Sequence, residues 1–184
     1  MMMSRIQRTS YWVSAVLKVA RWILPIGICY HWLTIETPYG YLSSLGIVEF
    51  DMQLSSLTQS PLSMDTRMFA IAASLAIAMI LIYGLNLLIQ LFKNYQRNEV
   101  FNQENSILIS KLGRVIFFWV IGGFIYSGVM SVILSFNNPP GTRVLQLTFT
   151  GVDAFTLFVG VIVLIISWVM KEASDIAYEH DQTV

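Results

Sequence analysis

Asp153 is read as the one acidic residue near a membrane core. An acid at bilayer depth is costly and by default marks a functional position, so Asp153 is a candidate proton or ion site. Its neighbours favour another role. Thr150-Gly151-Val152-Asp153 has the T-x-x-D spacing of a capping box at a helix start. Asn86, Gln90 and Asn94 recur at four-residue intervals on one helix face. Amides within lipid must face protein or water. They are expected to bond a neighbouring helix, with a polar substrate path as the alternative. His31 stands two residues from Cys29, which places the two on different helix faces. No further ligands converge on them in sequence, so no metal site is predicted. His180 lies in an acidic tail and reads as solvated. Gly122-Gly123 falls inside an apolar run and cannot cradle a phosphate. With no nucleophile–base set in view, the sequence predicts no enzyme, no cofactor and no direct nucleic acid binding.

The elements that must hold these residues are set by composition. The chain of 184 residues is 55% hydrophobic and 12% charged, about half the charged share of ordinary soluble domains. Residues 68–92 and 115–136 carry no charge, and neither do residues 154–170. A helix needs roughly 20 apolar residues to cross a bilayer. A first run, Ser10 to Ile35, is interrupted by Lys18 and Arg21, which are expected to snorkel to the headgroups. Trp12, Trp22, Tyr30 and Trp32 read as interfacial anchors, and Pro25 as a kink. The alternative for this first run is an amphipathic helix lying on the membrane surface. The expected fold is therefore all-α: a bundle of four transmembrane helices over about 12–35, 68–92, 114–136 and 151–171.

Basic residues give the orientation. With four crossings, Arg5, Arg8, Lys18, Arg21, Lys93, Arg97, Lys111, Arg114 and Lys171 share one side, and only Arg67 and Arg143 fall on the other. That asymmetry places both termini in the cytoplasm. The absence of a small-x-small cleavage site after the first run makes it an uncleaved anchor. Residues 36–66 form the long outer loop, with Glu36, Glu49, Asp51 and Asp65 and a short strand at GIVEF. Its acids read as solvated, with a cation or basic partner as the alternative. NNPPGTR is a tight second outer turn. Residues 93–113 form a cytoplasmic elbow and 172–184 an acidic cytoplasmic tail.

The elbow FKNYQRNEVFNQENSILISKLGRVIF is a polar island between apolar runs. Asn102 is a good N-cap, and Glu104 in the first turn suits the helix dipole. In the tail, Glu172, Asp175 and Glu179 form one stripe at helical spacing. Phe101, Glu104 and Asn105, with Glu172, Asp175 and Glu179, are the candidate partner-docking residues. Asn86, Gln90 and Asp153 are the candidate intramembrane polar residues. Small residues at Ala70, Ser74 and Ala78, and at Gly123, Ser127, Ser131 and Ser135, predict close packing of the second helix on the third, with a homo-oligomer interface as the alternative.

The island's EVFNQENSILISKLG resembles a signature of a bacterial membrane family, domain of unknown function 2975: Phe101, Glu104, Asn105, Leu112 and Gly113 occupy its positions. The end SWVMKEASDIAYEHDQTV is similar to that family's closing segment, an apolar helix passing into an acidic tail that closes on Thr-Val. The resemblance covers roughly residues 65–184; the first run fits only in general plan. It implies a four-helix, multi-pass protein of the bacterial inner membrane with no assigned activity. Some members are encoded beside small helix-turn-helix regulators, which implies a regulatory role.

Two functions follow as expectations. One is a non-catalytic protein that relays a membrane or envelope condition to a cytoplasmic protein partner, with membrane lipid as its other partner. The alternative is a small transporter or channel subunit.

Overall fold

A computed structural model describes residues 5–35, 57–58, 62–97, 99 and 102–182, with side chains as far as Ile176. The described residues form four long helices and no strand: α1 (Arg5–Thr34), α2 (Met64–Gln96), α3 (Gln103–Ser135) and α4 (Gly151–Gln182). All four are long and apolar enough to cross a membrane. The fold is all-α, as the uncharged runs require. The GIVEF segment, Glu36, Glu49, Asp51 and Phe101 lie outside the described residues.

Each helix extends past its apolar run. α2 and α3 have 33 residues each, about 50 Å at 1.5 Å per residue, against a hydrocarbon core of roughly 30 Å. Most of the elbow is therefore helix. α2 continues to Gln96 and α3 opens at Gln103. The acidic tail is likewise helical as far as Gln182, a direct continuation of α4. α1 continues through Pro25 without ending.

Burial follows the logic of a lipid solvent. Ile26, Phe155 and Trp168 are 66%, 65% and 70% exposed, whereas Ser14, Ser131 and Asn105 are at most 1% exposed. Apolar surface turned outward on every helix, with polar side chains turned inward, is what a hydrocarbon environment selects. This is a multi-pass membrane protein.

Packing separates the chain into two units. The first comprises Met1–Trp22, Ile80–Val120 and Thr150–Val184. Its core is Leu87, Leu91, Leu108, Ile109 and Val115. Here the start of α1 runs antiparallel to the end of α2. Gln7 Nε2 donates to the Gln96 carbonyl (3.1 Å), and Gln96 Nε2 donates to the Ser10 carbonyl (3.2 Å). α3 and α4 meet at glycines. A Cβ on Gly113 would stand 2.6 Å from Leu164 Cδ2, and one on Gly160 would stand 3.1 Å from Ile116 and Phe117. Small residues allow this approach.

The second unit comprises Ile23–Met79 and Ile121–Phe149. Its core gathers Trp32, Ile35, Leu57, Leu62, Ala70, Met130 and Leu134. Trp32 is 2% exposed; it is a core residue and not the interfacial anchor expected from sequence. Its indole N–H donates to Ser74 Oγ (2.9 Å), and Ser74 shares a 2.7 Å bond with the Tyr126 hydroxyl. One buried polar chain thus ties α1, α2 and α3. Ala70 and Ser74 are buried, and that stripe packs on neighbouring helices as its small residues suggested.

The stripe on α3 does something else. After Ser135 the chain turns through Gly141, whose φ of 95° is cheap only for glycine. It then runs back along α3 in extended form. Ser135 Oγ accepts from Val144 N–H (3.1 Å), Ser131 Oγ from Gln146 N–H (2.9 Å) and Ser127 Oγ from Thr148 N–H (3.0 Å). Four residues of helix rise about 6 Å, and two residues of extended chain advance about 6.6 Å. The two repeats match, so one hydroxyl per helical turn meets every second amide. Each serine also donates to a carbonyl of α3, at Ser131, Gly128 and Phe124 respectively. Ser127, Ser131 and Ser135 therefore hold a non-helical segment, where helix–helix packing was expected. A Cβ on Gly123 would meet nothing within 4 Å.

Candidate functional site

The two ends of the elbow are joined by one asparagine pair. Asn94, in the last turn of α2, is 7% exposed, and Asn105, in the first turn of α3, is fully buried. Asn94 Nδ2 donates to Asn105 Oδ1 at 2.9 Å, and Asn105 Nδ2 donates to the Glu99 carbonyl. The Asn94 carbonyl accepts from Arg97 N–H (2.9 Å) and Glu99 N–H (3.1 Å). An amide serves here because it offers donors and an acceptor at once. Asn102 caps α3: its Oδ1 accepts from Glu104 N–H at 2.8 Å. This was legible from the Asn-x-Glu order. Asn105, a docking candidate by sequence, has no surface to offer a partner; its side chain works inside the turn. Glu104 is exposed.

On α4, Glu172 is exposed and Asp175 half-buried. Asp175 Oδ1 accepts from Gln103 Nε2 at 2.8 Å, joining the acidic stripe to the start of α3. The backbone of Glu179 continues the same helix; its side chain lies outside the described ones. The exposed acids Glu104 and Glu172 thus sit on helices tied to each other by Gln103 and Asp175.

The intramembrane candidates separate. Asn86 Oδ1 accepts from Arg21 Nη1 at 2.9 Å in a part-buried setting. Arg21, expected to reach the headgroups, instead turns to α2 and also lies 5.5 Å from the Trp22 ring centroid. Gln90 is exposed and makes no bond among the described residues. Asp153 closes a capping box: its Oδ2 accepts from Thr150 N–H (2.7 Å) and Thr150 Oγ1 (2.8 Å), and its N–H donates to Thr150 Oγ1 (3.3 Å). The carboxylate is committed to the α4 start.

Sequence reading missed Arg67. From the first turn of α2 its Nη1 reaches the carbonyls of Ile35 (2.9 Å), Leu33 (3.1 Å) and Trp32 (3.3 Å). The last carbonyls of a helix lack intrahelical donors, and a cation there also suits the dipole. That only two basic residues, Arg67 and Arg143, fall on the sparsely charged side was the available signal; the target lay 32 residues away.

A family model described as a protein of unknown function (DUF2975) matches residues 55–184. No curated protein matches the chain. No solved structure matches it.

Proposed function

We propose, from the premise that this chain belongs to the DUF2975 family of proteins of unknown function, that it is a non-catalytic membrane component passing a membrane or envelope condition to a soluble protein partner. The observation that carries this reading is the continuity of α4. One unbroken helix, Gly151–Gln182, joins an apolar span to the acidic segment that begins at Glu172. A change felt by the span therefore moves the acidic face with it. The clamped elbow supplies a rigid neighbour, since Asn105 is fully buried and bonded at both ends of its amide. The basic side is read as cytoplasmic on the positive-inside asymmetry, and the membrane as a bacterial inner membrane on the resemblance of the elbow and tail to a bacterial membrane family. Removing residues 172–184 is expected to abolish co-purification of a stoichiometric soluble partner while leaving membrane insertion intact. Unchanged partner recovery would refute the reading.

The Arg21–Asn86 pair favours one alternative, a small transporter or channel subunit, because a half-buried cation and amide are elements of a polar path. An absence of solute or ion flux in vesicles holding the full chain removes that alternative.

A further inference from the structure

A groove of about 650 Å³ runs along α3 and α4 within the first unit, bordered by Ile107, Ser110 and Arg114 on one side and Leu164, Trp168 and Lys171 on the other. It follows the seam at which Gly113 meets Leu164. Its hydrogen-bonding groups divide into used and unused. Ser167 Oγ donates to the Ser106 carbonyl and Ser106 Oγ to the Gln103 carbonyl, both at 2.8 Å. Asp175, at the end beyond Lys171, is held by Gln103. The Ser110 hydroxyl, the Arg114 guanidinium and the Lys171 ammonium have no partner among the described residues. Two cations and a hydroxyl around a concave surface are phosphate chemistry.

The apolar part of the lining says which phosphate. Ile107 and Leu164 form an apolar wall beside the cations. Trp168 is 70% exposed at the rim, and an indole of this kind sits at the headgroup level of a bilayer. Lys171 closes the apolar run of α4, where a lipid phosphate would lie. A soluble anion would gain nothing from these surfaces. A phospholipid would set its phosphate between Arg114 and Lys171 and lay its glycerol and first methylenes on Leu164 and Trp168. Basic pockets between membrane helices bind anionic headgroups in this way. We propose that this groove is a binding site for one anionic phospholipid per chain.

The test uses the full chain purified in a zwitterionic detergent. Phosphatidylglycerol, phosphatidylcholine of the same acyl chains, and inorganic phosphate are titrated separately, and bound lipid is counted by native mass spectrometry. One phosphatidylglycerol per chain is expected to persist under conditions that strip phosphatidylcholine. The double variant Arg114→Gln with Lys171→Gln should weaken retention roughly tenfold or more. The control pair Lys93→Gln with Lys111→Gln, which removes the same charge outside the groove, should leave it unchanged. Both cations of the groove are exposed, so the double variant should keep its thermal midpoint; Trp168→Ala, with charge intact, is the second variant and should also weaken retention. Equal loss in the control pair would overturn the site, as would full retention in the groove variants. Inorganic phosphate displacing the lipid at equal concentration, with no effect of Trp168→Ala, would assign the groove to free phosphate and also overturn it.

Discussion

Asn94 and Asn105 stand 2.9 Å apart, amide to carbonyl, and hold the end of α2 against the start of α3. Both are buried, so neither can exchange its partner for water. Replacing Asn105 with Ala is expected to cost about 1–3 kcal/mol, because it leaves the Asn94 amide unsatisfied. Replacing both Asn94 and Asn105 with Ala should cost less than the sum of the two single Ala changes. Thermal unfolding in detergent of the two single variants and the double variant checks this. Additive losses would mean that the pair does not act as a unit.

The serine ladder predicts a residue-specific exchange pattern. Ser127→Ala, Ser131→Ala and Ser135→Ala together remove the acceptors of the Thr148, Gln146 and Val144 amides. Those three amides should lose hydrogen-exchange protection, with no comparable change in the body of α3.

Arg67 should behave as a helix cap supplied from another helix. Arg67→Ala is expected to destabilise the end of α1 by about 0.3–2 kcal/mol, with Arg67→Lys recovering part of the loss. Faster exchange of the α1 C-terminal turn is the readout.

Two glycines of α3 should respond oppositely to the same kind of change. A Cβ at Gly113 would meet Leu164 Cδ2 at 2.6 Å and its Cγ at 2.8 Å, whereas one at Gly123 meets nothing within 4 Å. Gly113→Val should lower the thermal midpoint, through overpacking of about 1–3 kcal/mol. Gly123→Ala should leave it unchanged or raise it.

What the sequence made legible was local. The uncharged runs required helices, and Thr150 with Asp153 closes the capping box that their spacing encodes. Asn102 caps α3 for the same reason: donor and acceptor lie two residues apart. The rest depended on partners distant in the chain. Trp32 had the composition of an interfacial anchor, and only Ser74, 42 residues on, makes it a core donor. The α3 serines had the spacing of helix packing, and nothing in that spacing tells a neighbouring helix from a returning extended segment. Asn105 looked like surface in a polar island. Its burial depends on Asn94, 11 residues earlier and on another helix.

Site-specific photo-crosslinking in living cells tests most directly whether the exposed acids of α3 and α4 dock a soluble partner. A photoreactive side chain is placed at Glu172, at Glu104 and, as a control in the segment that follows α3, at Arg143. The account predicts one discrete adduct with a soluble protein from Glu172 and Glu104, and none from Arg143. Adducts at Glu172 and Glu104 with lipid or with a second copy of the chain alone, or the same soluble adduct from Arg143, would contradict it.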